Sequence, residues 1–191
     1  MKTKDQILKI RATVLYVLSA FPNGIDYIKL FKILYFAQRQ HLVTYGRTII
    51  DDTFQARPYG PVSGFVRKGL KLIELAEELP EDFKEFGESI YVDRQSKYQI
   101  ISSNAKPDLD ELSVSEIRCL NTFIDEFRDM DSKEVSSLSH EDAAWKKAFE
   151  RSQNDPQMRF MTILEIAQAG GANPNTLAYI KENLELDEAL N

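Results

Sequence analysis

Asp26-Tyr27-Ile28-Lys29-Leu30-Phe31-Lys32-Ile33-Leu34-Tyr35-Phe36-Ala37-Gln38 is the stretch on which the fold of this chain turns. Asp26 is suited to a helix N-cap, because its carboxylate can accept from the first free backbone N–H groups. The body that follows, Tyr27 to Gln40, is apolar around most of its circumference, and a helix of that kind belongs in the middle of a core. Its polar exceptions, Lys29, Lys32 and Arg39, fall on one face and read as a solvated stripe. Tyr27, Phe31 and Tyr35 recur at i, i+4 and i+8, which is the spacing of core packing more than of a base-stacking surface.

Outward from this helix, Ile7, Ile10, Val14 and Leu18 mark an amphipathic helix before it, closed by Phe21-Pro22-Asn23-Gly24. After Gly46, Thr48-Ile49-Ile50 and Thr53-Phe54-Gln55-Ala56 read as a small hairpin or two irregular strands around Asp51-Asp52. Pro61 suits the first position of a helix over 61–79. Gly64 and Gly69 inside that helix imply close packing against another backbone. Ile90 to Val92 and Tyr98 to Ile101 predict a second hairpin. Ser113-Val-Ser-Glu116 is a capping box, and Ser139-His-Glu-Asp142 is read as another that opens the helix bearing Trp145 and Phe149. Met158 to Ala169 reads as helical, Gly170-Gly171 breaks it, and Asn173-Pro174 caps a last helix with an acidic end. The expected fold class is α+β, predominantly α-helical: a single compact domain with one or two small antiparallel β-hairpins.

Composition bounds the chemistry. The 191 residues are 43% hydrophobic and 28% charged, enough to build a core and too apolar for disorder. Cys119 is the single cysteine, which excludes an internal disulfide and any multi-cysteine metal site. The opening Met1-Lys-Thr-Lys-Asp-Gln lacks an apolar signal region, so a cytoplasmic location without membrane attachment is expected. The net charge of −6 conceals a split: residues 1–75 balance at +7 and residues 76–191 at −13. That split argues against a general nucleic-acid binder, although a regulator using the basic N-terminal third is a reading that salt-dependent binding would test.

No catalytic residues are expected. His41 and His140 lie outside any metal-binding pair, and His41 with Asp51 and Asp52 forms no ligand motif, so His41 reads as a hydrogen-bonded surface histidine beside a turn. Cys119 sits on the apolar side of its helix, where thiols are inert. There is no Gly-x-Ser-x-Gly elbow and no phosphate-cradling glycine loop after a strand. Neither metal nor cofactor is expected.

Three ordered blocks carry a resemblance. Leu30-x-Lys32-Ile-Leu34-Tyr35-Phe36-Ala37-Gln38, with His41-Leu42 and Gly46, resembles the opening motif of the Panacea domain of SocA-like antitoxins and phage-associated proteins. Phe54-x-Ala56-x-x-Tyr59-Gly60-Pro61-Val62 is similar to that family's Ala-x-x-Tyr-Gly-Pro-Val signature, and Leu138-Ser139-His140 with Trp145 and Ala148 to its third element. Thr48 stands where the family tends to have proline, and Pro58 replaces a less rigid residue. The resemblance implies a module that neutralises a cognate toxin protein, encoded next door, without catalysis. A phage-associated adaptor that binds a host protein is the alternative.

On this reading the motif residues are architectural. Lys32 would pair with a carboxylate, Tyr59-Gly60-Pro61 would fix a helix entry, and Ser139 with Asp142 would cap the helix that delivers Trp145. The family-like domain is expected over 1–155, with 156–191 a helical extension packed on it. Partner contacts are expected outside the motifs, at Glu182, Glu185 and Glu188 of the acidic end and at Lys29 and Arg39.

Overall fold

The computed structural model describes residues 2–75, 78–95 and 99–190. Helix α1 (Lys4–Ser19) leads through a two-residue strand, β1 (Ile25–Asp26), straight into α2 (Tyr27–Tyr45). Asp26 caps α2 by accepting from Lys29 N at 3.0 Å, and Gly46 ends it at φ 66°, a conformation glycine takes without strain. The α2 helix is the central rod, as its apolar girth predicts. Phe36 packs on Phe123 and Phe127 of α5 (Val114–Phe127), with ring centroids 5.6 and 5.5 Å away. The neighbouring Tyr35 meets Phe54 at 5.4 Å.

Among the described residues the strands form two three-stranded antiparallel sheets. The first has order β1-β5-β4, formed with β4 (Tyr91–Asp93) and β5 (Ile100–Ser102). It realises the second expected hairpin and adds β1 to it, with Ile25 opposite Ile101. Tyr98, expected in that hairpin, lies outside the described residues.

The second sheet differs from expectation. Its hairpin is β2 (Phe54–Arg57) with β3 (Gly60–Ser63), completed by β6 (Phe160–Met161) in the order β3-β2-β6. Thr48 to Ile50 forms no strand, because the Gln38 amide takes its backbone groups: Gln38 Nε2 donates to Ile50 O, and Gln38 Oε1 accepts from Ile49 N and Ile50 N. Pro61 sits in β3, opposite Ala56, rather than opening a helix. Proline is tolerated there because β3 is an edge strand. Helix α3 (Gly64–Leu75) therefore starts at Gly64.

Gly69 does lie inside α3, but two aromatic rings crowd it rather than a backbone. A β-carbon there would come within 2.8–2.9 Å of Phe86 and Phe83 on α4 (Glu81–Glu88), a helix the sequence reading did not anticipate.

The C-terminal half continues with α6 (Ser132–His140), α7 (Ala143–Asn154), α8 (Ile163–Ala169) and α9 (Pro174–Leu190). The segment 158–169, expected to be one helix, divides into a 3-10 turn (Pro156–Arg159), β6 and α8. Phe54 pairs with Met161 across β2 and β6, and Met161 and Ile166 enter the common core. Among the described residues, no helix is long and apolar enough to cross a membrane. The architecture is α+β and predominantly helical.

Candidate functional site

The three motif blocks meet at the β2–β3 hairpin. Lys32, in the middle of α2, is 1% exposed, so it is no part of a solvated stripe. Its Nζ donates to the Pro61 carbonyl at 3.1 Å, a main-chain partner where a carboxylate was expected. Burial pushes the Lys32 amine down to about 7, with Asp26 pulling weakly the other way.

Gly60 makes this approach possible. It has φ 101°, and a β-carbon there would run into Ser139 Oγ and Lys32 Cε. Behind it, Ser136 Oγ donates to Tyr59 O at 3.2 Å and Ser139 Oγ donates to Ser136 O at 2.7 Å. Ser139 is thus an interior residue of α6 and not the cap of α7. Because α6 runs on to His140, the Ser139 hydroxyl turns back into its own helix.

Asp142 is the cap, and more than that. Its buried carboxylate accepts from Trp145 N (2.9 Å), from Tyr35 Oη (2.7 Å) and from Arg39 Nη1 (2.7 Å). One acid therefore ties α7 to the central rod twice. Burial, reinforced by the Asp142 charge, holds the Tyr35 phenol well above its ordinary range. Trp145 donates Nε1–H to Arg57 O at 3.0 Å and lies stacked between His140 and Phe149, at 4.3 and 4.8 Å. Leu34, Phe36, Ala56 and Val62 fill the core around this node.

In front of the node lies a cavity of about 370 Å³, bounded by the start of α2, the β2–β3 turn and α3. Tyr59, 69% exposed, stands at its edge. Arg57, Arg67 and Lys71 contribute positive charge to the lining, and the Lys32 amine joins them. Burial, together with the like charges of Arg67 and Arg159, holds the Arg57 guanidinium below its ordinary range. Tyr27 Oη and Arg57 Nε are buried there without a hydrogen-bond partner, and burial raises the Tyr27 phenol above its usual range.

Other sequence-marked residues lie apart from this cavity. His41 is buried at 3% exposure, not on the surface, with Nδ1 on Arg47 O and Nε2 on Ser115 Oγ. Among the described residues no group of histidine, cysteine and carboxylate side chains could hold a metal. Cys119 is buried, and burial raises its thiol. Lys29 Nζ reaches Arg128 O, and Arg39 is held by Asp142 and lies 4.6 Å over the Phe36 ring. Glu182, Glu185 and Glu188 project from the exposed side of α9, with Glu185 facing Lys181 at 3.7 Å. Nothing in the structure brings these three to Lys29 or Arg39.

Tyr27, Arg57 and Arg67 belong to three elements with no shared spacing, so no pattern in the sequence marks them as wall residues. The Arg39–Asp142 pair was equally invisible, because 103 positions separate its members.

The convergence of three separated blocks on one hairpin defines a specific domain type. Residues 30–146 match the family model described as Antitoxin SocA-like, Panacea domain, and the chain belongs to that family. The match begins inside α2 and ends one residue beyond Trp145, so it leaves out α1, β6, α8 and α9. No curated protein and no solved structure matches the chain.

Proposed function

We propose that this protein is a non-catalytic, protein-binding antitoxin that neutralises a cognate toxin by direct contact in the cytoplasm. Its membership of the SocA-like antitoxin family carries the reading. The internal bonding of the motif supports it: Asp142 and Trp145 spend their polar groups on neighbouring elements and leave recognition of a toxin to other surfaces. The acidic side of α9, with Glu182, Glu185 and Glu188, is the face we assign to a basic partner, where charge speeds encounter and rejects wrong partners. Co-expression with the product of the neighbouring gene tests this. Growth arrest by that product alone, relief by this chain and co-purification at low and high salt are the expected results. A neighbour that is harmless alone and fails to co-purify would move the protein to the adaptor class.

A further inference from the structure

The cavity beside Tyr59 has a wall made of unmatched hydrogen-bond donors. Lys32 Nζ commits one of its hydrogens to the Pro61 carbonyl and has at least one more to give. Arg57 gives Nη2–H to Gln55 Oε1 at 2.9 Å, while its buried Nε–H has no acceptor. The Tyr27 hydroxyl is buried and equally unpartnered. Arg67 takes part in none of the ion pairs among the described residues. Glu74, the carboxylate of the lining, is already occupied by Lys71 at 3.0 Å and by Gln99 Nε2 at 2.6 Å.

Such a wall calls for a group that only accepts and that carries negative charge. The rest of the lining is aromatic and apolar, with Tyr27, Phe31 and Tyr59 offering ring surfaces. The volume of about 370 Å³ lies in the range of small-molecule sites. We propose that this cavity binds a small organic oxyanion, a phosphate or carboxylate carried on a flat apolar ring. Arg57 and Arg67 meet the charge, Lys32 donates a hydrogen bond to it, and the rings of Tyr27, Phe31 and Tyr59 flank the body. The site is separate from the α9 face, and its test needs no toxin.

Calorimetric titration of the full chain with phenyl phosphate, benzoate, benzyl alcohol and inorganic phosphate decides the matter. A ring-borne anion should bind at least about tenfold tighter than the neutral ring or the bare anion, because only it satisfies both walls. Tighter phenyl phosphate assigns the site to phosphate esters, and tighter benzoate assigns it to carboxylates. Replacing buried Lys32 also tests folding, so exposed Arg67 carries the residue-level arm. Arg67→Glu, checked for an unchanged circular dichroism spectrum, should weaken the better anion by about tenfold or more. Ring anions that bind no better than benzyl alcohol and inorganic phosphate, or an affinity untouched by Arg67→Glu, would overturn the proposal.

Discussion

The hairpin node and helix α9 are built on opposite terms. At the node, α2, β2, β3, α6 and α7 meet, and Lys32, Tyr35, Ser136 and Asp142 are buried and bonded to one another's elements. Along α9, by contrast, Ile180 enters the core, while Glu182, Glu185 and Glu188 are exposed. The node lies inside the family match and α9 lies outside it. The family match thus covers the wiring of the scaffold, while Glu182, Glu185 and Glu188 lie outside it on an exposed helix face.

The sharpest way to break this contrast is Trp145→Ala. The ring is nearly buried between His140 and Phe149 and holds Arg57 O, so its loss should cost ~3–5 kcal/mol. Urea unfolding measures this, and a loss below ~1 kcal/mol would show that the α7 contact is peripheral.

A more specific effect should come from pH. The unfolded chain keeps the Lys32 proton up to its ordinary value of 10.5, and the folded chain only to about 7. Between those values the unfolded state binds more protons, so stability should rise with pH, by as much as ~1.4 kcal/mol per pH unit. Below pH 7 both states hold the proton and this slope vanishes. Lys32→Met should flatten the slope between pH 7 and 10, and the wild-type-minus-variant difference in unfolding free energy isolates it from the tyrosines and Cys119. A difference that stays constant with pH would mean that the amine remains charged in the folded protein.

The smallest effect belongs to α9. Changing Glu182, Glu185 and Glu188 to lysine should move stability by less than ~0.5 kcal/mol, as exposed substitutions do. Association with a basic partner should slow, most visibly at low salt. A large loss of stability from this triple change would erase the distinction between the two regions.

The legible part of the fold was the part written in local pattern. Asp26, the apolar girth after it and Gly46 announce α2, and Ser113 with Glu116 announces α5. The illegible part depends on partners distant in sequence. Thr48-Ile49-Ile50 looks like a strand, yet the Gln38 amide claims its backbone. Ser139 and Asp142 both fit a capping pattern, and only the continuation of α6 to His140 decides between them. Pro61 obeys both helix-start and edge-strand rules, and the pairing with Ala56 selects the second. The cavity wall joins α2, the hairpin and α3, so no single stretch of sequence carries it.

The two-residue strand β6 gives the sheet a timetable. Strand β2 sits in the middle of its sheet, yet its outer neighbour arrives only with Phe160 and Met161. At synthesis rates of ~5–20 residues per second, β2 leaves the ribosome roughly 5–20 s before that neighbour exists. During that interval the edge of the motif hairpin is open, and Trp145 and Met161, which close over it, are still to come. A nascent chain of this protein therefore carries its complete hairpin well before the hairpin is sealed, and β6, made long after β2, is the segment that covers the open edge of β2.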